Sequence, residues 1–385
     1  MNKKIAVLTL CVSMQACTTV DDYVFGKDNT PAPKTLEPIK SKVKVAEKWS
    51  ISLGGSHNAN ANSKLKPEIV GKVVYTADAS GLIQAVDKGN GKLLWAKKLN
   101  SAVVSGPTVN AGYIALGTDV STVVLLKQSD GTELWQAKTS GEVLSKPVIH
   151  ANKVIAKTID GNLYAFNLAN GEKLWKAEHG APSLILKASS SPVVIDNNLV
   201  LVGYSDGKMD AIDLHTGHVV WQRSIAYASG ASDVERLVDI DADPIVRGSV
   251  AYLASYQGYV GALSLTDGQF VWRKPASVFK NMAIDGQTLY MTDSDDIVWS
   301  INRQNGRVNW KQVALKARGL TEPVLMGNRL VVGDKTGLLH VIATQTGELI
   351  SRSQVGGSVA IAPSVAGNNI YVISTNGKLS RFSVS

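Results

Sequence analysis

Residues able to do chemistry are few and scattered along the chain. The six histidines are His57, His150, His179, His215, His218 and His340. Only His215 and His218 are close in sequence, flanking Thr216-Gly217; that spacing would suit a weak metal site or a solvated turn. Asp293, Asp295 and Asp296 begin like a calcium loop, but no glycine and downstream glutamate complete it. There is no His-Glu-x-x-His and no phosphate-cradling glycine loop. The expectation is a chain without catalytic residues, metal or cofactor, although a site assembled from several distant segments would leave no such motif.

Cys17 is the residue with a chemical role written beside it. Lys3 and Lys4 precede a short apolar run, residues 5–12, too short to cross a bilayer, and Met14-Gln15-Ala16-Cys17 follows. This resembles a bacterial lipoprotein signal, with cleavage before Cys17 and lipid carried on its thiol. In such signals Thr18, rather than Asp, after the cysteine implies export to the outer membrane. An ordinary secretory signal with a chance cysteine is the alternative. Cys11 falls inside the signal, so the mature chain has no disulfide to form. Acyl chains contribute about 0.8 kcal/mol per buried methylene, enough for several to anchor a protein. Residues 17–42, with Asp28-Asn29-Thr30-Pro31-Ala32-Pro33 and Pro38, read as a flexible tether. The net charge of +8 is dispersed, which argues for no nucleic-acid partner and suits a surface near anionic lipid head groups.

From residue 43 to 385 the chain repeats itself. Pro-Val-Val-Ile, Asp-Asn-Asn, Leu-Val-Leu-Val-Gly-Tyr, Ser-Asp-Gly, Lys-Met-Asp-Ala-Ile-Asp, Leu-His-Thr-Gly, His-Val-Val-Trp, ending at Trp221, is one clear copy. It reads as four short strands divided by three turns. A Gly-x-x-x-Trp ending recurs at Trp95, Trp135, Trp175, Trp221, Trp272 and Trp310, and a seventh copy has Ser351 in place of Trp. Prolines open the copies at Pro67, Pro107, Pro147, Pro192, Pro244, Pro323 and Pro363, with one missing near Met282. A period near about 40 residues with four strands per unit predicts an all-β, eight-bladed propeller of antiparallel blades. The last copy has only three strands, whereas the Trp49 segment has a Trp and no unit before it. Pairing the two closes the ring and removes unpaired edges. Each Trp is expected to dock between blades, near the small residue ten positions earlier (Ala85, Ala165, Ala211, Ala262 or Ser300). Deleting one, Trp221 for example, would cost about 3–5 kcal/mol if the ring is fully buried.

The period breaks at two neighbouring connections, residues 176–191 and 222–243, both on the face where each blade hands over to the next. Insertions on one face of a repeat protein are usually its binding surface. The first carries Leu184-Ile185-Leu186; the second carries Asp233, Glu235, Asp239, Asp241 and Asp243. An apolar ridge beside an acidic loop would suit a partner with a basic, partly apolar surface. Alternatively, Leu184 and Leu186 plug the gap between blades, and Asp239 and Asp241 cap turns or pair with Arg236.

The Ala-x-Asp-x-x-x-Gly-x-x-x-Trp units, at 85–95 and 211–221, resemble the repeat of quinoprotein-type eight-bladed propellers. One such family is the quinone-dependent dehydrogenases; another is the BamB family, lipoproteins of the outer-membrane β-barrel assembly (BAM) machinery. The chain resembles the latter from Cys17 to the last strand. Pro182-Ser183-Leu184-Ile185-Leu186-Lys187 is similar to that family's Pro-Ser-Leu-x-Leu-Arg, and 235–241 to its Ile-Asp-Arg-Leu-x-Asp-Val-Asp. The resemblance implies a non-enzymatic scaffold on the periplasmic side of the outer membrane. It implies that Leu184, Leu186, Lys187, Asp239 and Asp241 serve binding to the POTRA domains of BamA, and through BamA to the other BAM lipoproteins. The protein would be a monomer within a hetero-oligomeric complex. The alternatives are a quinone-dependent dehydrogenase, whose vicinal cysteine pair and long insertions this chain lacks, and a polysaccharide-binding propeller.

Overall fold

The computed structural model describes residues 31–54, 64–182, 184–186, 189–227, 231–232 and 235–385. Cys17 and Lys187 lie outside the described residues. Within them the chain forms thirty-two strands in eight four-stranded antiparallel sheets. Blade 1 runs from Glu68–Val70 through Val73–Ala77 and Leu82–Asp87 to Leu93–Lys98, and blades 2 to 7 repeat that order. Blade 8 takes three strands from the C-terminus and its outer strand, Val45–Ser52, from the start of the domain. That strand pairs antiparallel with Lys378–Val384, from Val45 opposite Val384 to Ser52 opposite Lys378. The ring closure expected from the unmatched Trp49 is therefore present.

The burial of each strand follows its place in the blade. Middle strands are flanked by sheets on both faces and read as apolar runs; Leu163–Asn167 is buried from Leu163 to Phe166. Outer strands alternate: in Glu133–Lys138 only Trp135 and Ala137 are buried. The hydrophobic core is not one mass but eight clusters, each straddling two neighbouring blades. The cluster of Ile155, Ala165, Trp175, Val200, Tyr204 and Ile212 joins blade 3 to blade 4 in this way.

The tryptophans hold these seams. As the spacing of ten requires, Ala85 faces Trp95 and Ala165 faces Trp175 across the outer strand pair. Each ring then reaches into the next blade, where sequence reasoning saw only turn glycines. The indole N–H of Trp135 donates to the carbonyl of Leu168 at 2.9 Å, and that of Trp175 to Leu214 at 3.0 Å. Trp272 reaches Arg303 and Trp310 reaches Thr344 in the same manner. Blade 4 departs from the pattern. Gly268 of blade 5 meets the Arg223 side chain instead of Trp221.

Two parts of the chain lie closer to the ring than their composition suggests. The tether reading extends to 42, yet from Lys34 the chain is fastened to blade 7. The N–H of Lys34 donates to Lys316, Arg318 donates to the Lys34 carbonyl at 3.1 Å, and Lys42 donates to Ile350 at 2.8 Å. Leu36 packs on the cluster between blades 6 and 7, and that burial outweighs the neighbouring prolines and lysines. The second part is the stretch entering blade 1. Lys64 forms an ion pair with Asp243 at 3.0 Å, Lys66 with Glu322 at 3.0 Å, and Glu68 with Lys146. These links run from one short segment to blades 5, 7 and 3 around a central cavity of about 460 Å³.

Candidate partner-docking site

The two long connections meet at the junction of blades 3 and 4. The first leaves Trp175 and turns at His179, whose buried ring lies flat on Tyr204 with centroids 3.6 Å apart. Its Nδ1 is 3.2 Å from Asp210 Oδ2 and its Nε2 is 3.1 Å from Asp206 Oδ2. Burial alone would lower the pKa of this ring, but the two carboxylates outweigh it and push it up to about 9. Further along, Leu184 stands 42% exposed, while Ile185 and Leu186 are half-buried.

The second connection is not the acidic surface loop that its composition suggests. From Leu237 to Ala242 every side chain is buried, with Asp239 and Asp241 at 0% and 1% exposure. The N–H of Leu186 donates to Asp239 Oδ2 at 2.9 Å, so the ridge and the acid are joined, but from beneath. Burial raises the Asp239 carboxyl to about 6, with the Leu186 N–H and the Lys157 ammonium opposing it. Asp241 is raised by burial and by the neighbouring Asp239 charge. Lys157, itself buried and lowered by that burial, donates to the Gly203 carbonyl close to both acids. Asp243 accepts from Lys64 Nζ and, at 2.6 Å, from the N–H of Ser191. The charges that determine the placement of these acids lie far away in sequence.

Glu235 remains at the surface, where it caps a turn. Its carboxylate accepts from the N–H groups of Ala231 and Ser232 at 2.7 and 3.1 Å. Tyr227, in the same connection, is 69% exposed. Sequence reasoning therefore placed Leu184, Leu186, Asp239 and Asp241 in one region. It missed His179, Lys64 and Lys157, lone residues for which no local pattern exists.

The other chemical candidates resolve into structure. Asp293 accepts from the N–H groups of Asp295 and Ile297 and from the Trp299 indole, and Asp296 pairs with Lys280 at 2.8 Å. His215 and His218 stand on an exposed turn whose N–H of His215 donates to Asp213. Among the described residues no group of three or more His, Cys, Asp or Glu is arranged to hold a metal.

Comparison with known proteins places this architecture. A family model described as outer membrane protein assembly factor BamB matches residues 79–312 and 313–385. The outer membrane protein assembly factor BamB of Legionella pneumophila (strain Paris) is 64% identical over 385 residues, covering all of both chains. That of Pseudomonas aeruginosa is 37% identical over 383 residues, 99% of each chain. The crystal structure of BamB from Moraxella catarrhalis superposes with a TM-score of 0.80 at 25% identity, covering 88% of this chain and 100% of that one. A europium-containing methanol dehydrogenase, 14% identical with a TM-score of 0.72 over 88% of this chain and 93% of its own, shares the fold alone. With Trp-stapled blades, a ring closed by its first strand and end-to-end similarity to these relatives, the chain belongs to the outer membrane protein assembly factor BamB family.

Proposed function

We propose that the protein is a non-enzymatic scaffold of the BAM complex, held on the periplasmic side of the outer membrane by lipid on Cys17. In this reading it binds the POTRA domains of BamA through the ridge of Leu184, Leu186 and Lys187. The observation that carries the reading is Leu184: a large apolar side chain is 42% exposed on a loop whose backbone is tied down beside it. A presented leucine on a fixed loop loses little entropy on binding and can act as an anchor. Asp239 then serves the interaction indirectly, by holding that loop, and Asp241 through its charge beside Asp239 and Lys157. The channel supports the scaffold reading too, because the charged groups Lys64, Lys66, Glu68, Lys146, Asp243 and Glu322 satisfy one another there.

The test is binding of the full mature chain to an isolated POTRA fragment, with melting curves alongside. Leu184→Ala combined with Leu186→Ala should weaken binding about tenfold or more at every ionic strength, since apolar anchors are not screened by salt. Unchanged affinity in a folded double variant would move the site elsewhere. For the anchor, Cys17→Ala should leave the outer-membrane fraction when the partner is absent.

A further inference from the structure

We propose that His179 is the positioning residue of the docking loop: a charged imidazolium latch, clamped between Asp206 and Asp210 and stacked on Tyr204, that sets where Leu184 stands. This rests on the docking role proposed for Leu184 and Leu186, and it adds a residue that the ridge itself does not contain.

The charge follows from geometry. Both ring nitrogens face carboxylate oxygens, at 3.2 and 3.1 Å. Ionised carboxylates only accept, so both nitrogens must donate, and a neutral imidazole has only one N–H. The ring is 7% exposed, a place where an unpaired charge would be expelled. Here it has two counter-charges, and Asp206 shares its own with Lys208 Nζ at 2.8 Å. The remaining charged neighbour on this side is Lys157, 5.4 Å from the Tyr204 ring centre; Lys176 and Glu178 pair with each other at 2.6 Å on the solvent side. His340 shows the opposite outcome from a similar contact. It touches one carboxylate, Asp334, at 2.9 Å, and its Nδ1 has no partner. Burial, with the nearby Arg318 and Arg352 charges, lowers its pKa.

The latch acts on the loop because of where it sits. Asp206 and Asp210 belong to the blade 4 hairpin, whereas His179 arrives from blade 3. Next to it, a methyl group on Gly161 of blade 3 would strike the Gly180 carbonyl, so the turn is also seated against blade 3. At the far end, Leu186 is held by Asp239. The chain is thus tied down at 179 and at 186, and Leu184 stands between the two ties. Releasing one end lets Leu184 sample many positions, and apparent affinity falls by the fraction of time the competent one is occupied.

The experiment uses the full mature chain and His179→Phe, which keeps the stack but removes charge and both hydrogen bonds. Ring nitrogen NMR of the wild type should show both His179 nitrogens protonated at pH 7.5, with a titration midpoint near pH 9. Affinity for the POTRA fragment should fall as pH rises from about 7.5 to 9.5; His179→Phe should be about tenfold weaker at pH 7.5 and should lose the part of that fall centred near pH 9, whereas the step from Lys157, lowered to about 8 by burial, stays in both proteins. Hydrogen exchange at the Leu186 amide should accelerate in the variant without any partner present. A ring that titrates near its ordinary value of 6.5, or Leu186 exchange that His179→Phe leaves unchanged, overturns the latch even if Leu184 is the anchor. Wild-type binding by the Leu184→Ala, Leu186→Ala variant removes the docking reading instead, while the NMR and exchange results still judge the latch.

Discussion

Trp135 of blade 2 lies against Gly171 of blade 3, and a Cβ added to Gly171 would come within 2.7 Å of the indole ring. The same glycine holds a φ of +72°, which L side chains rarely adopt. One residue therefore turns its own blade and makes room for its neighbour's staple. Gly171→Ala should destabilise by about 1–3 kcal/mol through backbone strain alone. Trp135→Ala should cost about 3–5 kcal/mol through the cavity it leaves. Because both act on one contact, the double variant should cost less than the sum; urea unfolding of the four proteins measures this.

The seam between blades 4 and 5 should be the first to loosen. Trp221 does not seat on Gly268, where Arg223 takes its place, whereas Trp95, Trp135, Trp175, Trp272 and Trp310 each lie against a glycine of the next blade. The cost of Trp221→Ala should therefore be nearer about 1–2 kcal/mol than the value expected for a fully buried ring. Native-state hydrogen exchange should show the Val219–Ser224 strand opening before Glu133–Lys138. Equal protection of the two strands would contradict this.

Asp239 should matter for the loop and not for long-range attraction. Asp239→Ala removes the hydrogen bond that the Leu186 N–H donates to Asp239, at a cost of about 1–3 kcal/mol, and should weaken partner binding equally at low and high salt. Asp239→Asn keeps an acceptor and should retain most of the binding. It also removes a titration. The folded-state pKa of Asp239 is raised from 3.8 to about 6, so the folded protein holds this proton more tightly than the unfolded chain. The wild type should lose stability as pH rises through that interval, and Asp239→Asn should lose less. Melting temperatures between pH 4 and 7 decide it.

Arg318 should prove to be the fastening of the N-terminal strap. Its Nε is 2.8 Å from Asp334, both side chains are buried, and it also holds the Lys34 carbonyl. Breaking a buried pair from one side costs about 3–5 kcal/mol. Arg318→Ala should show that loss together with faster protease cleavage between residues 34 and 42. A destabilised variant with an unchanged cleavage pattern would mean that Leu36 and Lys42 hold the strap by themselves.

The blades were legible because their signals are local. Thr216-Gly217 and Trp221 mark a turn and an outer strand within a few residues, and the same Gly-x-x-x-Trp mark recurs in six copies. Trp49 without a preceding unit announced the closure for the same reason. The two long connections were legible by length. The environment of Asp239 and Asp241 was not, since an acid in a long loop reads as solvated by default. Their burial depends on Lys157 and Lys64, brought close only by the ring. His179 carries no pattern at all; its partners lie on the next blade. Lys34–Lys42 was misjudged for a related reason: prolines and lysines describe a linker, and only the contacts of Leu36 and Arg318 reveal a strap.

The closure between Val45–Ser52 and Lys378–Val384 also sets the order in which the molecule can be finished. The first strand to be synthesised pairs with the last, so it waits for nearly the whole chain with an unpaired edge. Such a contact has the greatest sequence separation of any strand pair among the described residues, and non-local pairing slows folding. Until the C-terminal residues arrive, blades 7 and 1 each present a raw flank, a species prone to association with other chains. The protein therefore has a long immature stage built into its topology, ended in a single step by its final seven-residue strand.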